Sequence, residues 1–174
     1  ERHETYLAEH GRFVKARGAA AAPWLRELSE RGAARFAELG FPTVRREEWR
    51  FTNVAPIAET PFRLADKAPV NAAENVGRVA IPDAAARIVL LNGHFSPELS
   101  TVRALPSGAF AGSLSEAIAK GLPEVAHLAQ FQWSDMPFAA LNTAFLEDGA
   151  VVVIPPRAVV DGIIHIVSLN GGEG

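Results

Sequence analysis

The sequence predicts an α+β fold, and three stretches carry that expectation. "APWLRELSERGAARFAELG" places Trp24, Leu25, Leu28, Phe36 and Leu39 at helical spacing, opened by Pro23 and stopped by Gly40. "ARIVLLNGHFS" sets an apolar run against Asn92-Gly93, the favoured pair for a two-residue β-hairpin turn. "AVVVIPPRAVVDGIIHIVSL" holds two β-branched runs, 151–154 and 163–167, joined by Pro155-Pro156 and Asp161-Gly162. Two apolar runs with a short Pro/Gly linker read as successive rungs of a solenoid or strands of a sandwich.

The remaining elements follow in order. Residues 4–17 set Leu7, Phe13 and Val14 among charges, a weakly amphipathic helix ended by Gly18. After the second helix comes "GFPTVRREEWRFTNV", residues 40–54, with three arginines, two glutamates, a tryptophan and a phenylalanine in one connector. Residues 55–85, polar and rich in Pro and Ala, read as loop with little regular structure. Beyond the hairpin, Ser113 and Glu116 stand at capping-box spacing and predict a short helix from about 114. "LPEVAHLAQF" predicts another. In "DMPFAALNTAFLEDG", Asp135 is the expected N-cap and Pro137 an early helical residue. Phe138, Leu141 and Phe145 then share one face. The chain closes in "NGGEG", with nothing in view to pair the second β run. About three rungs are needed to bury a solenoid core, so the expectation is a domain cut short. Its open edge beside Ile163, Ile164 and Ile166 would then be a template for pairing with another copy.

Composition narrows the function classes. Of 174 residues, 48% are hydrophobic and 21% charged, an ordinary globular balance, and the net charge is −3. Residues 1–50 carry ten basic against eight acidic side chains, too small an excess for a nucleic-acid footprint. There is no cysteine, which excludes disulfides, thiol catalysis and Cys-held zinc or iron–sulfur clusters for this chain alone. That absence fits a reducing compartment, and the expected location is the cytoplasm. No apolar run is long enough to span a bilayer, and the charged N-terminal stretch lacks the apolar core of a signal peptide.

Chemical candidates are few. Glu47 and Glu48 are adjacent, and neighbours on a helix point about 100° apart, so they do not converge on one substrate atom. Arg45, Arg46, Arg50, Trp49 and Phe51 could stack bases and hold phosphates as a single-stranded nucleic-acid module over 45–51. The two glutamates inside the cluster would repel a phosphate backbone. The simpler expectation is that Trp49 and Phe51 are buried anchors with arginine stems packed over them. His3, His10, His94, His127 and His165 show no ligand spacing, and His165 in an apolar strand reads as a hydrogen-bonded, partly buried ring. Ser107, Ser113 and Ser115 lack a nucleophile-elbow context. The expectation is therefore no catalytic, cofactor-binding or metal-binding residue.

The opening connector resembles the N-terminal signature of the SufD family, FP-T-x-R-x-E-E-W-[KR]-[YF]-T-N, with Phe51 where tyrosine is common. "LNGHFSPELS", 91–100, is similar to that family's intervening hairpin, and 138–167 to its helix followed by entry into a right-handed parallel β-helix. The resemblance implies an N-terminal helical and mixed domain over 1–148, then the start of an incomplete right-handed parallel β-helix at 149–174. It implies a non-enzymatic scaffold subunit of the SufBCD iron–sulfur cluster assembly complex. SufD would pair with SufB through β-helices and bind the SufC ATPase through a C-terminal helical region, both largely outside this sequence. The cluster would be built by the full complex, with no cofactor held in this chain and neither nucleic acid nor membrane as partner. A β-helix carbohydrate-active enzyme is the other fold-based alternative, and the two visible runs lack the clustered Asp, Lys or Arg that it needs.

Overall fold

The computed structural model describes residues 3–17, 21–65, 71–130 and 135–171. It divides into two units: residues 1–64 with 127–146, and residues 65–126 with 147–174.

Four α-helices build the described part of the first unit. α1 (Glu4–Arg17) buries Tyr6 and Phe13. α2 (Pro23–Leu39) starts on its proline and buries Leu25, Leu28, Ser29, Gly32, Ala33 and Phe36, the i, i+3, i+4, i+7 stripe of an amphipathic helix. Gly40, at φ 60°, ends it, and its N–H bonds the Phe36 carbonyl at 2.8 Å. A short α3 (Ala55–Glu59) follows the connector. The unit is closed by α6 (Pro137–Ala144), which buries Ala140, Thr143 and Ala144. Small residues let α2 and α6 meet backbone to backbone. A Cβ placed on Gly32 would lie 2.7 Å from the Ala144 nitrogen and 2.9 Å from the Ala140 oxygen. Tyr6, Leu28, Phe36 and Ala140 form the centre of the core, with Phe41 and Leu141 against it. The cap of α6 is Met136, not Asp135, whose carboxylate instead reaches Arg35 at 3.3 Å.

The second unit centres on β1 (Ala86–Leu91), whose ends are buried by partners on both edges. β2 (His94–Phe95) returns antiparallel through Asn92 and Gly93, at φ 49° and 87°, the paired positive values that the predicted type I′ hairpin requires. β3 (Thr101–Val102) pairs with the start of β1, also antiparallel. On the other edge lies β6 (Ile164–Leu169), parallel to β1 in register from Ala86–Ile164 to Leu91–Leu169. One face of this sheet packs Ala86 and Ile88 with Ala111; the other packs Val89, Leu91 and Val167 against Val76 of α4 (Ala72–Val79). β4 (Phe110–Ser113) pairs antiparallel with β5 (Ala150–Val153). β4 runs into α5 (Leu114–Ala119), whose capping box is formed as predicted: the Glu116 N–H donates to Ser113 Oγ at 2.9 Å.

Two expectations are corrected. Residues 55–85 are not simply loop, because α3 and α4 lie within them. Five- and eight-residue helices in an Ala/Pro-rich stretch have too few turns to display a period. The second C-terminal β run does have a partner: β6 pairs with β1 over its whole length. Only its outer edge is open among the described residues. The pairing joins strands far apart in the chain, which no local pattern announces.

Candidate functional site

The connector at 40–54 is the most chemically dense segment, and the chain itself determines how it is presented. Phe41 plugs it into the core, its ring edge-on to Tyr6, Phe36 and Phe138 at centroid distances of 5.0, 5.1 and 5.8 Å. A 3-10 turn at Glu47–Trp49 then lays the Trp49 ring 5.3 Å from Phe138, half-buried. Asn53 Oδ1 accepts the Ala55 N–H at 3.0 Å and starts α3. The far end of α3 is held by Tyr6, whose hydroxyl lies 2.6 Å from the Ile57 carbonyl and 2.9 Å from that of Thr60. Burial raises the Tyr6 pKa, so the hydroxyl stays a donor.

Phe51 contradicts the expectation of burial. It is 91% exposed, with the Arg50 guanidinium over its ring at 5.3 Å. The physical reason is the 3-10 turn: it aims Trp49 at Phe138 and sends Phe51, two residues on, to solvent. Phe41, at the entry to the connector, serves as the second anchor. Its signal was its place directly after the helix-stopping Gly40, where a hydrophobic residue folds back on the last turn.

The charges on this segment are exposed, except for the partly buried Arg46. Glu47 and Arg50 form a loose i, i+3 pair at 3.7 Å, and Glu48 points to solvent without meeting Glu47's partner. Beside them, a cavity of about 450 Å³ is walled by Phe41, Pro42, Val44, Asn53, Val54 and Ala58. In the second unit, a groove of about 480 Å³ is lined by Ile88, Phe95, Leu105, Phe110, Glu116 and Lys120. The Lys120 ammonium sits 4.9 Å above the Phe110 ring. Besides Val79 and Val102, the exposed large apolar side chains of this unit lie late in the chain: Val152, Ile154, Val159, Ile163 and Ile166.

Reactive constellations are sparse. Ser113 is spent as a helix cap, Ser107 is exposed, and the Asp148 carboxylate beside Ser115 accepts that residue's backbone N–H at 3.3 Å. His165 Nδ1 accepts the Ile81 N–H at 3.3 Å, the partly buried, hydrogen-bonded ring that its strand position predicted. His94 lies 3.9 Å from Glu147. Among the described residues, no three His, Asp or Glu side chains gather as a metal site, and no helix is long and apolar enough to cross a membrane. What the chain presents is surface: an aromatic and arginine-rich connector and an open β edge.

The family model for the SufBD protein N-terminal region matches residues 2–166, nearly the whole chain. The chain belongs to the SufBD family. It is similar to an iron–sulfur cluster assembly SufBD family protein of Synechocystis sp., 35% identical over 136 residues, which is 76% of this chain. The matched stretch spans 29% of that relative's length. The match contains the connector, the hairpin and α6 through the start of β6, so it takes in two of the segments that carried the resemblance whole and all but the last residue of the third.

Proposed function

We propose that the chain is the N-terminal region of a SufD-like scaffold subunit, non-enzymatic and cytoplasmic, that works with SufB-type and SufC-type subunits in iron–sulfur cluster assembly. The observation that carries the reading is the connector "GFPTVRREEWRFTNV" within a family match that covers residues 2–166. A scaffold role is also what the chemistry favours. The chain has no cysteine, and its histidines and carboxylates are dispersed over the described surface. In this reading the cluster is cargo of the assembled complex, and the N-terminal region supplies shape and contact surface.

The reading extends to the end of the chain. β5 and β6, joined by a Pro- and Gly-containing linker, mark the approach to a right-handed parallel β-helix. The open outer edge of β6 and the exposed Ile163 and Ile166 are what such a helix would cover with its next rung.

The test is co-expression of the full-length protein with the SufB-type and SufC-type subunits of its own organism. A stoichiometric complex that accumulates a cluster under anaerobic iron and sulfide supply is expected. Failure to associate with either subunit would remove the SufD assignment. A second arm treats this chain alone with iron and sulfide. A stoichiometric cluster bound to it would show that the cluster is not a property of the complex.

A further inference from the structure

The connector presents a projection and a recess side by side. Phe51 is 91% exposed, the most exposed large apolar side chain among the described residues. Only two residues further on, Asn53 forms part of the wall of the 450 Å³ cavity, whose other walls are largely Phe41, Pro42, Val44 and Val54. Val44, on the rim, is half exposed. The cavity has ample room for a benzyl group, and its lining is apolar enough to favour one. The projection cannot easily fill its own recess, because Arg50 packs over its ring and the two are only two residues apart. In sequence between Val44 and Asn53 stand charges of both signs: Arg45, Arg46 and Arg50 against Glu47 and Glu48, none of them buried.

A patch that carries its own projection, recess and both charge signs is complementary to itself, as a two-fold interface requires. We propose that the connector is a self-association surface: Phe51 of one copy enters the Phe41–Val44–Val54 cavity of a second copy, and the arginines of each face the glutamates of the other. The competing occupant, a single-stranded nucleic acid, fits less well. Arg50 already covers one face of the most exposed ring among the described residues, and Glu47 and Glu48 repel phosphates. The interface is small. Two phenylalanine rings bury on the order of 300–500 Å² together, well short of the roughly 1,200 Å² at which stable interfaces begin. Association is therefore weak, concentration-dependent and salt-sensitive. This inference stands apart from the scaffold reading, since it concerns only the connector of this chain.

Sedimentation equilibrium over a wide concentration range, at low and high salt, is the direct test. The expected result is a monomer–dimer equilibrium that weakens with salt and loses roughly tenfold or more in affinity in Phe51→Ala. Since Phe51 makes no core contact, the variant keeps its fold, checked by circular dichroism. Charge exchange supplies the second arm. Glu47→Lys/Glu48→Lys and Arg45→Glu/Arg46→Glu should each self-associate less than the parent, and their equimolar mixture should recover association. Ile166→Lys, at the open edge of β6, should leave the dimer intact. A monomer at every concentration would overturn the proposal. So would a dimer insensitive to Phe51→Ala, or one abolished by Ile166→Lys alone.

Discussion

His10 stands where three helices meet, and burial there favours its neutral form. Ser29 Oγ donates to the Ala144 carbonyl at 2.5 Å and lies 3.0 Å from His10 Nε2. With the serine proton engaged, the ring must donate from Nε2, so a neutral imidazole satisfies the site. Burial holds the His10 pKa below its ordinary value, opposed by the Glu30 charge and by the Ala144 carbonyl. The unfolded chain binds a proton at about pH 6.5, where the folded chain still resists it. The stability contribution is thus complete above about pH 6.5 and is lost as pH falls toward the folded value. Urea unfolding at about pH 7.5 and 5.5 should show the wild type weakening on acidification and His10→Gln weakening less. An identical pH dependence in the two would exclude His10 as the sensor. The two connector aromatics separate by the same logic of burial. Trp49→Ala should cost about half of the ~3–5 kcal/mol of a fully buried ring, and Phe51→Ala should stay within about 0.5 kcal/mol. Thermal unfolding of both variants checks the pair.

At the scale of elements, the α2–α6 contact is the tightest in the first unit, and it depends on a missing side chain. A methyl group on Gly32 would meet the Ala144 nitrogen and Ala140 oxygen of α6 below 3.0 Å, and both are backbone atoms of a regular helix that cannot swing aside. Alanine would gain about 1 kcal/mol of helix propensity, but forcing the helices apart costs typically 1–3 kcal/mol and strains the Ser29 bond to Ala144 as well. Gly32→Ala should therefore be destabilised on balance, despite the better helix former. A variant as stable as the parent would mean that α6 yields. This contact was not legible in the sequence, because it joins helices that lie far apart in the chain. Features encoded within a few residues were legible: the Pro23 start and Gly40 stop of α2, the Asn92-Gly93 turn and the Ser113–Glu116 box. α3 and α4 were hidden by their shortness. Phe51 was misread because composition reveals that an aromatic is present, while the direction of its ring follows from the 3-10 turn beneath it.

At the scale of the whole chain, the C-terminal strands are structural members of the second unit and not merely the start of something else. β6 supplies the entire parallel edge of β1, and Val167 enters the same cluster as Val76, Val89 and Leu91. Its end is tied to the hairpin: Asn92 Nδ2 donates to the Gly171 carbonyl at 2.8 Å, and the Gly171 N–H returns to Asn92 Oδ1 at 2.9 Å. β5 covers β4 in turn. A chain ending at Gly149 would lose both strands at once, leaving one edge of β1 and one of β4 unpaired and Val89 without its cross-strand neighbour. Each large apolar side chain removed from such a core costs on the order of 2–5 kcal/mol, and a domain has only about 5–15 kcal/mol to lose. Hydrogen exchange should then show Ala86–Leu91 losing protection in the truncated form. α2 and α6 should keep theirs, because their core draws on no residue beyond Leu146. Retained protection in β1 would mean that the hairpin is stable without its parallel partner. Ile166→Lys separates the two edges of β6. It alters a side chain already half exposed, so β1 should stay protected, and any contact made through the open edge should be lost.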